Sequence, residues 1–228
     1  GLRAESKGTI TLKDVTANSN GGVNGYGVYL YNRFAATPKP ITLTGTNNFN
    51  DNDLDGLYIY SDGVITLNNI IATGNNGSGA SLLNNANAAV PNGINLTGTN
   101  LFNDNFAVGL NITTFGPIKV SNIDANSNGS AGAQLVNDSS NTLQPVTFTG
   151  TNEFKYNGSA GLGVLSKGQI TLNNISANSN GGPAGAYLNT MNGTSVSGVT
   201  LTGINWFNLN AVNGLEIQTK GTVLLNAV

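Results

Sequence analysis

The feature that most constrains this chain is a phrase that returns at a fixed interval. ITLTGTNNF from Ile41 is followed by INLTGTNLF from Ile94, VTFTGTNEF from Val146 and VTLTGINWF from Val199, with starts 53, 52 and 53 residues apart. A second phrase runs between them: ITLKDVTANSN from Ile10, ITLNNIIATGN from Ile65, IKVSNIDANSN from Ile118, ITLNNISANSN from Ile170 and a short copy, VLLNAV, from Val223. Self-similarity at such an interval marks a solenoid, in which each repeat stacks on its neighbours. The two phrases share one layout. Each opens with an apolar–polar–apolar triplet, continues to an Ala or Phe, places an Asn three residues later, and then reaches a Gly followed by apolar–any–apolar. The long period is therefore two coils, a bare one of about 23 residues and an insertion-bearing one of about 30.

Each coil holds three short alternating segments bounded by Gly and Asn, which read as strands, and no segment sustains a helical apolar period. Three strands per coil predict an all-β fold, a right-handed parallel β-helix, with the hand taken from the general preference of parallel crossovers. The reading is one β-helix unit over residues 1–228, four two-coil repeats starting near 8, 63, 116 and 168 with a partial fifth from 221. That makes about eight full coils with partial coils at each end, uncapped, and so a segment expected to belong to a longer solenoid. At about 4.8 Å per strand spacing its length is roughly 40 Å.

The register predicts inward columns. Ile10, Ile41, Ile65, Ile94, Ile118, Val146, Ile170, Val199 and Val223 should stack, as should Leu12, Leu43, Leu67, Leu96, Val120, Phe148, Leu172, Leu201 and Leu225. Ala17, Phe49, Ala72, Phe102, Ala125, Phe154, Ala177 and Phe207 alternate small with large, which lets a narrow core fill without voids. The third strand contributes Val28, Leu57, Ala80, Leu110, Ala133, Leu162, Ala186 and Leu215.

Asparagine carries the most specific signal. The sequence has 39 Asn beside 31 Gly, polarity that would suit disorder were the apolar residues not so regularly placed. Asn20, Asn52, Asn75, Asn105, Asn128, Asn157, Asn180 and Asn210 occupy one position in every complete coil. An amide there can donate to the next coil and accept from the previous one, forming a ladder. Asn also tolerates the left-handed backbone of a corner. The Gly column from Gly27 to Gly214 marks the following corner, where positive φ or close coil approach is expected.

Composition removes several classes of function. Charged residues are 9% with a net charge of −2, so no basic face exists to hold nucleic acid. Cysteine and histidine are both absent, which removes disulfides, thiolate chemistry and the commonest general base and metal ligand. No apolar run approaches the roughly 18 residues of a spanning helix, so no membrane insertion is expected. No cofactor motif and no catalytic constellation stands out. Carbohydrate-cleaving sites need two carboxyls roughly 5–10 Å apart, and Glu153 and Glu216 show no partner in sequence. Asp51, Asp53 and Asp55 are the candidate calcium ligands, since the phrase DNDLD offers several oxygens. Their counterparts Asp104, Tyr156 and Leu209 do not repeat the set, which favours solvated turn residues.

Two outward surfaces invite a ligand. Tyr29, Tyr31, Tyr58 and Tyr60 should be neighbours on the third strand, a patch able to stack on sugars or simply to form cross-strand pairs. Thr11, Thr42, Thr66, Thr147, Thr171 and Thr200 share a column, with Thr44, Thr97, Thr149 and Thr202 beside it on alternate coils. Such an array would suit ice binding, although Asn95, Lys119 and Leu224 interrupt it and Thr is a common strand residue. The insertions at 31–40, 83–93, 136–145 and 189–198 should project from one edge, where variable loops make contacts.

The phrases GxITLNNIxANSNGG and ITLTGTNxFNxN, with GLxIxSKG between them, resemble repeats in very large secreted or surface-anchored β-helix proteins of filamentous bacteria, similar in fold to the pectin-lyase superfamily. The resemblance covers the whole chain and implies adhesion, sheath or fibre formation. It carries no lyase or hydrolase motif onto any residue here. The expectation is a non-catalytic extracellular or cell-surface structural segment that self-associates end to end or laterally, with glycans as a further partner. A carbohydrate- or ice-binding module is the alternative, and a polysaccharide-degrading enzyme the less favoured one.

Overall fold

The computed structural model describes residues 1–84, 91–192 and 196–228. Twenty-four strands form three parallel sheets, and among the described residues there is no helix. Sheet I collects the first strand of each coil, nine in all, from Ile10–Lys13 to Val223–Leu225. Sheet II collects six two-residue strands from Asn47–Asn48 to Ile175–Ser176. Sheet III collects nine strands from Leu2–Glu5 to Asn213–Gln218. Each strand pairs with its counterpart one coil away, so the molecule is a parallel β-solenoid of about eight turns.

Alternation along each strand sets the core. In Val28–Asn32 the residues Val28, Leu30 and Asn32 are buried while Tyr29 and Tyr31 face outward. Register is like on like: Ile41 pairs Ile65, and Ile94 pairs Ile118. Phe49, Ala72, Phe102, Ala125, Phe154 and Ala177 are fully buried, so the alternation of volume fills the interior under sheet II as expected. Leu12 is only half-buried, and Val223, Leu224 and Leu225 are exposed.

The ladder forms at the second corner, between sheets II and III. Asn20 Nδ2 donates to Asn52 Oδ1 at 2.8 Å, Asn52 to Asn75 at 2.9 Å and Asn75 to Asn105 at 2.9 Å. Asn105 donates to Asn128 at 3.1 Å, and the steps through Asn157, Asn180 and Asn210 are each 3.0 Å. All bonds run the same way along the chain. The same Oδ1 also accepts the backbone N–H of the preceding rung, as Asn128 Oδ1 does from Asn105 at 3.0 Å.

The left-handed residue of this corner is not where the sequence reading puts it. It precedes the ladder Asn by one: Ser19, Asp51, Gly74, Asp104, Ser127, Tyr156, Ser179 and Leu209 have φ between 56° and 68°. Of the two expectations for the Gly column, close coil approach holds and positive φ does not. A Cβ built on Gly109 would lie 2.5 Å from the carbonyl oxygen of Gly132 and 2.7 Å from Asn128 Nδ2. Glycine is needed there because the next rung of the ladder occupies the space.

The first corner, between sheets I and II, explains why the repeat is two coils long. Its left-handed residue alternates Asp14, Gly45, Asn69, Gly98, Asn122, Gly150, Asn174, Gly203. Asn69 Oδ1 accepts the N–H of Thr99 at 3.0 Å on the next coil, and its amide donates to Gly45 O at 3.2 Å on the previous one. A Cβ on Gly98 would stand 2.1 Å from Asn69 Oδ1. Two consecutive coils therefore cannot both carry a side chain here. The glycine coils also carry a second buried amide that sequence reading missed, at Asn47, Asn100, Asn152 and Asn205, where neighbouring coils have Val15, Ile70, Ile123 and Ile175. Asn100 accepts from Ile70 N at 3.2 Å and donates to Thr97 O at 3.2 Å and Ser121 O at 3.0 Å, tying three coils together.

The third corner is sealed by Asn32, Ser61, Asn84, Thr114, Asn137, Ser166 and Thr190, all buried. Asn32 Nδ2 reaches Gly8 O at 2.8 Å and Lys39 O at 3.0 Å, pinning the base of the first insertion to the coil before it.

Replacing Asn128 with Ala should cost about 1–3 kcal/mol, because it leaves the Asn105 amide and the Asn157 acceptor buried and short of a partner. Denaturant unfolding measures this, and an unchanged midpoint would contradict the ladder's energetic role. Gly98→Ala should destabilise by a comparable amount, and combining it with Asn69→Gly should recover part of the loss, since the clash is with that side chain.

Candidate functional site

The outward faces differ in how much of their chemistry is already engaged. On sheet I the threonine columns pair as expected, Thr11 with Thr42 and Thr42 with Thr66. In the second column, Thr97 Oγ1 accepts from Asn68 Nδ2 at 3.1 Å and donates to Leu67 O at 3.3 Å. Thr202 repeats this with Asn173 at 2.9 Å and Leu172 O at 3.3 Å. Those hydroxyls are tied into the solenoid rather than arrayed toward solvent. Lys119 pairs with Thr147 and interrupts the first column.

Tyr29, Tyr31, Tyr58 and Tyr60 do come together on sheet III. Tyr29 pairs with Tyr58 and Tyr31 with Tyr60. The Tyr29 and Tyr58 rings are stacked, 5.1 Å apart and 6° from parallel, while Tyr31 and Tyr60 meet edge to face at 5.9 Å. Tyr26, outside the predicted set, joins at 5.4 Å from Tyr29 and 5.6 Å from Tyr58. Two cations cover ring faces: the Arg3 guanidinium lies 4.5 Å from the Tyr29 centroid, and that of Arg33 lies 4.2 Å from Tyr60. Arg33 is held there by Asp62, Nε to Oδ1 at 2.8 Å. Tyr29 thus sits between Arg3 on one coil and Tyr58 on the next, so the rings mainly contact one another and their arginines. Burial pushes the Tyr26 and Tyr58 hydroxyls above their ordinary range, and the neighbouring Asp55 and Tyr29 respectively add to it.

Asp51, Asp53 and Asp55 diverge. Asp53 Oδ2 accepts from Gly22 N at 2.7 Å on the preceding coil, whereas Asp55 Oδ1 accepts from Ser78 N at 2.7 Å on the following one. Asp51 Oδ1 lies where a Cβ on Gly74 would stand. Asp53 and Asp55 thus serve different stretches of backbone. Among the described residues no three Asp or Glu side chains gather as a metal group would. The Asp55 carboxyl is held above its ordinary range by burial, against the Ser78 N–H and Ser81 hydroxyl that stabilise its charge. The insertions at 83–93 and 189–198 lie partly outside the described residues.

Sheet II shows what sequence reading missed. Glu153, without a partner in sequence, pairs across the coil with Asp124 and forms an ion pair with Lys155 at 3.0 Å. The Asp124 and Glu153 backbones lie one strand spacing apart, about 4.8 Å, in register. Asp124 is bonded by Asn103 and Asn126, yet burial first and Glu153 next hold its carboxyl above the usual range. The outward column continues Glu153 to Ser176 to Trp206. A trough of about 350 Å³ opens there, lined by Glu153, Lys155, Ser176, Ile204 and Trp206 among others. The signal was the one outward Trp in the phrase VTLTGINWF.

Among the described residues no helix is long and apolar enough to cross a membrane. No family model, no curated protein and no solved structure matches this chain.

Asp55 and Asp124 give a pH dependence of defined sign. A carboxyl whose folded pKa is raised binds its proton more tightly folded than unfolded, so it adds stability as pH falls through the folded value. That gain is complete below the unfolded value of 3.8 and is lost as pH rises through the folded pKa. The wild type should therefore gain stability relative to Asp55→Asn and to Asp124→Asn as pH is lowered from neutral toward 4. Urea midpoints across that range test this, and a gap that moves the opposite way would refute it.

Proposed function

We propose that this chain is a non-catalytic structural or adhesive segment of an extracellular, surface or fibre-forming β-solenoid. The observation that carries the reading is the unidirectional amide ladder from Asn20 to Asn210, flanked by two further stacks of buried polar side chains. The side chains best suited to chemistry at the corners are engaged in joining coil to coil. The product is a stiff rod whose repeat can be added without altering its neighbours. A chain without Cys or His has no thiol to oxidise and no imidazole to titrate, which suits exposure outside a cell. The resemblance of its phrases to repeats of large secreted β-helix proteins points the same way.

Self-association, end to end or laterally, belongs to this reading. The second corner supports the lateral mode, since it exposes Val23, Phe106, Tyr156, Leu209 and Val212, each at least 66% accessible. Carbohydrate contact at the tyrosine patch is the second reading, favoured by the convergence of Tyr26, Tyr29 and Tyr58 on one face. Ice binding has less support because Thr97 and Thr202 are bonded within the solenoid.

Small-angle scattering should give particles whose long dimension grows with concentration, and sedimentation velocity should show association that rises with concentration. The double variant Phe106→Lys and Leu209→Lys should weaken that association without shifting the unfolding midpoint. Release of reducing ends or unsaturated sugars from any polysaccharide would displace the proposal in favour of an enzyme, and thermal hysteresis would displace it in favour of ice binding.

A further inference from the structure

We propose that the trough on the outer face of sheet II, centred on Ser176, is a binding subsite for a pyranose ring of a glycan that carries no carboxylate. The inference goes beyond the rod reading and does not depend on it. It begins with a cost. Trp206 is the single tryptophan of the sequence, and it stands outward in the column that runs from Glu153 through Ser176. Ile204 beside it is 63% exposed. Large apolar side chains placed together on an outer face are an unfavourable use of surface unless something covers them.

Their position is fixed by backbone bonds, not by side-chain chance. Trp206 N donates to Ile175 O at 2.8 Å, and Ala177 N donates to Trp206 O at 2.8 Å, which seats Trp206 directly beside Ser176. On the other side of Ser176 comes Glu153 in strand register, with Lys155 two residues on and ion-paired to it at 3.0 Å. Ser176 is the small member of this column, so the surface dips by a side chain between two tall walls. The walls are two strand spacings apart, about 9–10 Å. That admits one sugar ring against the indole.

The chemistry of the walls matches such a ring. A pyranose has an apolar C–H face and an equatorial rim of hydroxyls. Trp206 and Ile204 offer the apolar wall, and an indole presents a large flat face for the C–H side of a sugar. Opposite them, Glu153 accepts from hydroxyls and Lys155 donates to them. Ser176 Oγ accepts from Asn178 Nδ2 at 2.8 Å and keeps its own proton as a donor at the floor. Few polar groups converging beside an apolar wall, in a space of about 350 Å³, is the pattern of small-molecule sites. Charge selects among sugars. Asp124 pairs with Glu153, so two carboxylates face one lysine, and a uronate would meet net repulsion. Neutral and N-acetylated glycans remain.

The lone tryptophan makes the test direct. The full chain is titrated with cellohexaose, with chitohexaose and with polygalacturonate while tryptophan emission is followed. A saturable change with at least one neutral hexasaccharide, and a much weaker one with polygalacturonate, is the expected result. Ser176→Phe fills the trough and leaves the reporter in place; it should weaken binding roughly tenfold or more, a difference of about one decade in Kd. Trp206→Ala, read by calorimetry, should do the same. Tyr58→Ala should bind as the wild type does, which separates this site from the tyrosine patch. All three side chains lie on outer faces, and unchanged unfolding midpoints will show that the solenoid is intact. Emission unmoved by both neutral sugars overturns the proposal. So does undiminished affinity in Ser176→Phe, or equal binding of polygalacturonate.

Discussion

Everything in this structure depends on one repeated contact, a side chain meeting its own counterpart one strand spacing away. In a parallel stack the same position recurs every coil, so a residue can persist there only if it is complementary to itself. Aliphatic side chains qualify by packing. A carboxylate fails, because like charges would face each other at close range. Asn qualifies as a polar residue because its amide carries a donor and an acceptor on opposite sides, and here every rung from Asn52 to Asn180 uses both toward its ladder neighbours. The glycine column follows from the ladder, since a Cβ on Gly109 would occupy the place of the Asn128 amide.

Where self-complementarity is impossible the chain alternates instead. Asn69 and Asn122 fill their corner so completely that the coils between must offer Gly98 and Gly150. Deeper in the same corner Asn100 alternates with Ile70 and Ile123, and under sheet II phenylalanine alternates with alanine. These alternations share the parity of the insertions, which also come every second coil. The period of about 53 residues is thus a packing unit before it is anything else.

That is why the fold was legible in the sequence and the surface only partly so. The ladder and the apolar columns recur at one place per coil, and recurrence identifies them without coordinates. The left-handed residue before each rung was hidden because it varies from Ser19 to Asp51 to Tyr156 to Leu209; backbone conformation, not side-chain type, is what repeats there. Asn47 and Asn100 were hidden inside the phrase TGTN, which reads equally well as a turn. The tyrosine neighbours were readable because Tyr29 and Tyr58 occupy matching places in a strong motif. Asp124 and Glu153 were not, because their pairing depends on the register of two-residue strands across a coil lengthened by an insertion.

The same constraint indicates where binding can reside. Inward and corner positions are bound to the period by contacts with their own kind, so a change at one coil is felt at the next. Outward positions on sheets II and III are less bound to their counterparts than the inward ones, and it is there that the sequence departs furthest from its repeat. The column Ile71, Leu101, Asp124, Glu153, Ser176, Trp206 has no period at all, and the tyrosines of sheet III stop where Ser81 and Leu83 follow Tyr58 and Tyr60. Stacking does not require a Trp beside a Ser beside an ion-paired Glu, and the alternation of the core does not predict it. In a molecule whose interior is governed by repetition, the aperiodic residues on its faces are the ones left free to be shaped by a partner.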